Sequence, residues 1–269
     1  MRKLMQNLVI GNTSQLAKYF PDSYVKISSR NIDVQFLKSQ TWDNVHICFA
    51  EQRTFLVDDK TVSDQFYDIN FTLVKDVVTH IKANRIFYYS TADLWNDCNG
   101  AISVNTPFQF KPNNYTMSKY NITVELKNKF KYPNVSIVYP FNFNSIYRKN
   151  GYLFSKIFNS IIDRAKITIG DTHYYRDIIH PEMVVDCVMK HNQIGIDFIV
   201  GSGRLVYVND LIVDLYQHMN MDYKQYVVED IKTQSHYRTR LFYNSTYTPT
   251  YDTQHLINKT ISELKGMIP

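Results

Sequence analysis

A chain of 269 residues, 44% apolar and 20% charged, has the composition of an ordinary globular protein and suffices for one large α/β domain or a domain with a small cap. Its net charge of +5 is spread thinly, with no Lys/Arg block dense enough for a nucleic-acid surface. Cys48, Cys98 and Cys187 lack metal-ligand spacing, no apolar run approaches the roughly 18 residues of a membrane span, and Met1 to Met5 lead into a strand, so a cytoplasmic protein without a metal is expected.

Asn7 to Ile10 predict a strand that stops at Gly11, and Asn12-Thr13-Ser14-Gln15 lead into a helical pattern containing Leu16, Ala17, Tyr19 and Phe20. Strand, tight turn and helix in that order make a phosphate-binding start, with a diphosphate at the helix N-terminus. The glycine fingerprint is degraded, since Ser14 and Ala17 occupy its later positions, and an ordinary βα turn explains the stretch equally well. Tyr24 to Ile27 read as a second strand, followed by Ser28-Ser29-Arg30. Where an NAD-binding chain keeps an acid for the ribose hydroxyls this one has Arg30, a fork suited to a 2′-phosphate, which favours NADP(H) over NAD(H); the alternative is a solvated turn residue.

Val45 to Ala50 predict a third, buried strand, and Asp68 to Lys82 a helix with Phe71, Val74, Val77, Val78 and Ile81 at helical spacing. His80 is a residue of that helix rather than a ligand. Arg85 to Tyr89 form the next strand, ending in Ser90-Thr91-Ala92-Asp93. Strands alternating with helices predict a parallel, doubly wound sheet of the Rossmann type, whose ligands bind beyond the carboxyl ends of its strands. Thr91 stands at such an end.

Tyr115 and Lys119 then open a helix running to Phe130, four positions apart, so that phenol and ammonium share one face. A free Tyr has a pKa of about 10, and proton transfer near neutrality needs it roughly 3 units lower, or about 4 kcal/mol. A cation about 4 Å away at an effective dielectric of about 20 supplies that much. Among 21 tyrosines such pairs also arise by chance, and Tyr152 with Lys156 is a second one; context must separate them. A strand from Val135 to Tyr139 ends at Pro140-Phe141-Asn142. Then follow a helix from Gly151 to Ile162, a strand from Lys166 to Ile169, and Arg176-Asp177-Ile178-Ile179-His180 before a helix from Glu182 to Met189. Val206 to His218 and Asp252 to Lys265 are further helices, separated by a tail, Gln234 to Tyr251, rich in Tyr, Thr and Arg.

The order of these motifs, from the Gly11 loop through Arg30, Asn70, Ser90-Thr91, Tyr115-x-x-x-Lys119 and Pro140-Phe141-Asn142 to Arg176-Asp177, resembles the nucleotide-sugar branch of the extended short-chain dehydrogenase/reductase family. The likeness runs from about residue 7 to about residue 190. It implies a dinucleotide-binding core over residues 1–140 and a substrate-binding region over 141–269, a small cap interleaved with the last strands of the core. Gly11, Asn12, Thr13, Ser14, Gln15, Leu16, Ser29, Arg30, Ala50, Tyr115, Lys119 and Pro140 would face the cofactor.

Carried residue by residue, the resemblance makes Tyr115 the catalytic acid or base, Lys119 the group that lowers its pKa and holds the nicotinamide ribose, and Thr91 a second hydroxyl on the substrate oxygen. Asn142 would face the sugar nucleotide and Arg176 pair with its diphosphate; the alternative for Arg176-Asp177 is a local ion pair. Tyr152 and Lys156 fall in the substrate region.

Departures narrow the chemistry. Dehydratases of the branch follow the hydroxyl residue with an Asp-Glu pair, but Thr91 is followed by Ala92 and Asp93. The dual epimerase-reductases that make GDP-fucose place a Cys and a His where this chain has Ala92 and Tyr152. The expectation is an NADPH-dependent reductase of a nucleotide-linked 4-keto-6-deoxy sugar, dimeric through the Tyr115 helix and the helix before it. The alternatives are a 4-epimerase with tightly held NAD and a non-catalytic dinucleotide binder.

Overall fold

The computed structural model describes residues 6–30, 32–230, 241–243 (backbone only) and 253–268. They fall into two compact units, residues 1–94, 110–140 and 184–200 in the first and residues 95–109, 141–183 and 201–269 in the second.

The first unit holds the doubly wound parallel sheet expected from the sequence. Its strands are β1 (Asn7–Ile10), β2 (Val25–Ile27), β3 (Trp42–Ile47), β4 (Ala83–Tyr89), β5 (Val135–Pro140) and β6 (Phe198–Val200), all parallel, in the order β2-β1-β3-β4-β5-β6. Leu8 to Ile10 and Val135 to Pro140 are buried throughout, as befits parallel strands covered on both faces. The chain passes from β2 back across β1 to β3, so the order reverses between β1 and β3, where the crevice of such a sheet opens.

Several boundaries differ from expectation, four of them near the site. β3 begins at Trp42, which pairs with Ala83, and Ala50 therefore lies past its end. The helix expected at Asp68 starts at Ser63 and continues to His80 as one stretch, 63–80, here called α1, with a π-helical turn at Asp68–Leu73. The helix carrying Tyr115, α2 (Asn114–Leu126), stops four residues short of Phe130. After Gly11 there is no full helix but a single 3-10 turn, Leu16–Lys18. Pro21 explains this: it removes a backbone donor and pushes the residue before it out of helical conformation.

Gly11 is required twice over. Its φ is +103°, and a Cβ there would lie 2.8 Å from the backbone nitrogen of Phe49, just beyond β3. Gly11→Ala is therefore expected to cost about 2 kcal/mol or more, seen as a lower urea midpoint, because both the strained backbone and the β1–β3 approach must give way. β6 is anchored by Asp197, whose Oδ1 accepts from Lys129 Nζ at 2.7 Å and from the Ile137 amide at 2.9 Å.

The second unit is built on α3 (Leu153–Asp163), α5 (Val208–His218) and α6 (Thr253–Met267); α4 (Pro181–Lys190) lies between α3 and α5 in sequence, and from Val184 on it belongs to the first unit. Ile157, Ile161, Leu211, Ile212, Leu215, Ile257 and Leu264 recur at helical spacing and form its core. Pairs of short strands complete it: Asn142–Phe143 with Ile178–Ile179, Tyr175–Arg176 with Val206–Tyr207, Ile167–Ile169 with Val227–Glu229, and Gly100–Ile102 with Leu241–Tyr243. Val206 and Tyr207, expected to open a helix, are thus strand residues. Apart from Leu241–Tyr243, the tail from Gln234 to Tyr251 lies outside the described residues. Among those described, no helix is long and apolar enough to cross a membrane.

Candidate active site

The start of α2 is fixed by reciprocal capping. Asn113 Oδ1 accepts from the Thr116 amide at 2.9 Å, and Thr116 Oγ1 accepts from the Asn113 amide at 3.0 Å. This puts Tyr115 in the first turn, 7% exposed and edge-on to Phe66 of α1 at 6.4 Å between ring centroids. One turn on, Lys119 is 1% exposed.

Lys119 Nζ donates to the Tyr89 carbonyl at 3.0 Å and to the Tyr88 hydroxyl at 3.2 Å, and lies 4.9 Å from the centroid of the Tyr88 ring. Among the described residues it has no ion pair with a carboxylate, and burial pulls its pKa from 10.5 down to about 7. Burial likewise pushes the Tyr88 phenol well above its usual range, with Tyr115 and Tyr139 adding to the effect.

A second line of hydrogen bonds ties α2 to the loop after β3. Asn70, fully buried in the π-helical turn of α1, accepts from the Glu51 amide at 2.8 Å and donates to the Glu51 carbonyl at 3.1 Å and to Ser118 Oγ at 3.0 Å. Ser118 in turn donates to the Tyr115 carbonyl at 2.8 Å. A π-turn inside a helix often marks a functional position, and here it aims one amide at three partners.

The predicted cofactor residues outside α2 gather at one end of the sheet. Gly11, Asn12, Thr13, Ser14, Gln15 and Leu16 form the turn after β1, where the Gly11 and Asn12 amides donate to the Ile27 carbonyl at 2.8 and 3.1 Å. Ala50 follows β3, Pro140 ends β5, and Ser29 and the exposed Arg30 follow β2. All these lie at carboxyl ends of the sheet, as do Thr91, just past β4, and its neighbour Ser90. Thr91 Oγ1 accepts from the Asp93 amide at 3.1 Å, and Ser90 Oγ bonds Thr123 Oγ1 of α2 at 2.8 Å. With only a 3-10 turn following, the Gly11 loop has no helix macrodipole to offer a diphosphate. What it has are peptide and hydroxyl donors.

Asn142 and Arg176 belong to the second unit. There Asn142 pairs in register with Ile178, two residues from Arg176. The Arg176 guanidinium lies over the Tyr174 ring at 5.1 Å and donates to the Tyr175 carbonyl. Asp177 has zero exposure and accepts from the Ser202 amide at 2.9 Å, Ser202 Oγ at 2.7 Å and the Gly203 amide at 3.0 Å. Asp177→Ala strands three donors, and a loss of about 2–4 kcal/mol in urea unfolding is expected. Tyr152 caps α3 beneath the Arg148 guanidinium, 3.8 Å from its ring centroid.

Two groups escaped the sequence reading. Tyr88 was legible only as a strand residue, although alternation already placed it on the face of Ile86 and Ser90. The other is a polar cluster in the second unit, where Glu229 accepts from Thr172, His173, Asn209 and Tyr223 at 2.5–3.0 Å. Its members are scattered in sequence, so no motif announces it.

No protein-family model matches the sequence, and no curated protein matches it. Solved structures do. RMD from Pseudomonas aeruginosa complexed with NADPH aligns with TM-score 0.76 at 15% identity over 97% of this chain and 100% of its own. UDP-glucuronic acid 4-epimerase from Bacillus cereus, in complex with UDP-glucuronic acid and NAD, aligns with TM-score 0.80 at 13% identity over 98% and 100%. This chain has their fold. The dTDP-glucose 4,6-dehydratase of Bacillus anthracis, in complex with NAD, shares it too, with TM-score 0.74 at 14% identity over 97% of both chains.

Proposed function

We propose that the chain is an enzyme of the nucleotide-sugar branch of the extended short-chain dehydrogenase/reductase family, reducing the keto group of a nucleotide-linked 4-keto-6-deoxy sugar with NADPH in the cytoplasm. The observation that carries this reading is the buried Tyr115–Lys119 pair on one face of α2, in a fold shared over nearly the full length of an NADPH-complexed relative. Residues 1–140 serve as the dinucleotide core and residues 141–269 as the substrate region.

The first unit's residues suit a dinucleotide. Gly11 turns the chain at the β1/β3 reversal, and Lys119, a buried amine that spends two of its three donors among the described residues, suits a ribose hydroxyl with the third. Arg30 supports the phosphorylated cofactor. When bound, the reduced nicotinamide supplies a hydride to the carbonyl carbon. Tyr115 gives its proton to the carbonyl oxygen, with Thr91 sharing that oxygen, and the Lys119 charge stabilises the phenolate left behind. Water restores the proton, so each turnover consumes one hydride and one proton. Asn142 and Arg176 contact the sugar nucleotide and its diphosphate. Tyr67 of α1 and Met117 and Val124 of α2 are exposed apolar side chains of the first unit, and they support a homodimer through these helices.

The test is to offer NADPH, then NADH, with enzymatically generated nucleotide 4-keto-6-deoxy sugars and follow reduced nicotinamide by absorbance. Faster oxidation of NADPH with one of these sugars is expected. Copurifying NAD with interconversion of 4-epimers, and no net oxidation, would replace this reading by an epimerase.

A further inference from the structure

Lys119 raises a physical problem that the Tyr115–Lys119 pair does not solve. An ammonium that supports a phenolate must stay charged and stay in place, yet this one is buried on α2 with desolvation as the dominant influence on it. Among the described residues it has no carboxylate. Its surroundings are Tyr88 and Tyr89 of β4, Tyr139 of β5 near Tyr88, and Tyr115 on its own helix. Of these, Tyr88 touches the amine in two ways, through its hydroxyl oxygen at 3.2 Å and through its ring, whose centroid is 4.9 Å from Nζ.

We propose that Tyr88 is the positioning residue of the catalytic pair: its phenol oxygen and ring hold the Lys119 ammonium charged and fixed in the interior between β4 and α2. This rests on the function proposed above for what the pair does, but not for how Lys119 is held. Both contacts favour the cation over the neutral amine, one as a hydrogen bond from a charged donor and the other through the ring quadrupole. Strand geometry explains why this residue can serve. Ile86, Tyr88 and Ser90 alternate onto one side of β4, and Ser90 already bonds Thr123 of α2, so the hydroxyl of Tyr88 meets the helix one turn nearer its start. Pairing with Ile47 on one side and Ile137 on the other makes β4 an interior strand with no freedom to shift.

The experiment uses the full chain without added cofactor, labelled with ¹³Cε,¹⁵Nζ-lysine, with the Lys119 signal identified by its loss in Lys119→Met. In the unaltered chain the ε-methylene protons of Lys119 should resonate upfield under the Tyr88 ring current, and an ordinary shift would overturn the proposal. In Tyr88→Phe, which removes only the hydroxyl, the Lys119 titration midpoint should move to an about tenfold higher proton concentration, while Tyr139→Phe leaves it in place. An unmoved midpoint in folded Tyr88→Phe would also overturn it, since a merely structural tyrosine would change stability and not titration. Should Tyr88→Phe not fold, the ring-current shift of the unaltered chain still decides. Both readouts answer even if no sugar is reduced, so failure here is distinct from failure of the proposed reaction. With an active substrate, Tyr88→Phe should lower kcat about tenfold above pH 8 with the sugar KM within twofold, and recover at lower pH.

Discussion

Tyr115→Phe should lower the turnover of NADPH with its keto-sugar by about 10²–10⁴-fold while leaving dinucleotide binding nearly unchanged. The substitution removes one oxygen from a side chain packed with Val62 and Phe66, so that packing and the capped start of α2 persist. What disappears is the only proton that α2 delivers to the reacting oxygen in the proposed reaction. Thr91 does not replace it, because its hydroxyl is far too weak an acid near neutrality. Stopped-flow absorbance at saturating cofactor measures the step directly. A loss below about threefold would move the acid elsewhere. A loss in affinity without loss in turnover would make Tyr115 a binding residue.

The second large effect is on stability as a function of pH, and two buried bases govern it. His46, on β3, is stacked on Phe87 and bonded through Nδ1 to the Tyr89 hydroxyl; burial, with Arg85 nearby, pulls its pKa from 6.5 to about 3. Between those values the unfolded chain binds a proton that the folded chain refuses. Stability is therefore fully present above pH 6.5 and falls by about 1.4 kcal/mol per pH unit toward pH 3, a loss on the order of 5 kcal/mol. Lys119 acts in the next window, since its folded pKa of about 7 lies below the ordinary 10.5. There the unfolded chain keeps a proton that the folded one sheds, so stability rises further from pH 7 toward pH 10.

Urea midpoints taken from pH 4 to pH 10 should climb through both windows. His46→Gln should flatten the acidic window. Lys119→Met should flatten the alkaline one and raise the midpoint at pH 6, at the cost of activity. A midpoint independent of pH from 4 to 6.5 would mean that His46 is charged in the fold, against its packing. The Lys119 result would show a catalytic group held at the expense of stability.

Much of this molecule is legible in its residues. The sheet could be read because β1, β4 and β5 are apolar runs bounded by breakers, and Tyr115 and Lys119 because i and i+4 on a helix must share a face. The misses have local causes. Pro21 cut short the helix after Gly11, although the apolar spacing of Leu16, Ala17 and Phe20 mimics one. β6 is three residues long and gives no periodic signal, so it went unseen despite closing the sheet. In the sequence Asp177 could be read only beside its neighbour Arg176, and that its carboxylate also accepts from a loop 25 residues away is a contact no local pattern encodes. Tyr88 was missed for a related reason: a tyrosine in a strand looks like any core aromatic until the amine above it is known.

The late arrival of β6 has a consequence for how the chain is made. β5 emerges from the ribosome with β4 already available on one flank, but its other flank is filled only when Phe198–Val200 appears, after the whole segment 141–183 has been synthesised. Until then a fully buried strand, Val135–Pro140, presents an open edge, and Lys129 and the Ile137 amide wait for Asp197. A nascent chain stalled or truncated before residue 197 thus exposes an apolar template for pairing with its neighbours on the polysome. A chain truncated at Pro140, though it contains the entire Tyr115–Lys119 pair, should aggregate, whereas the full chain should not.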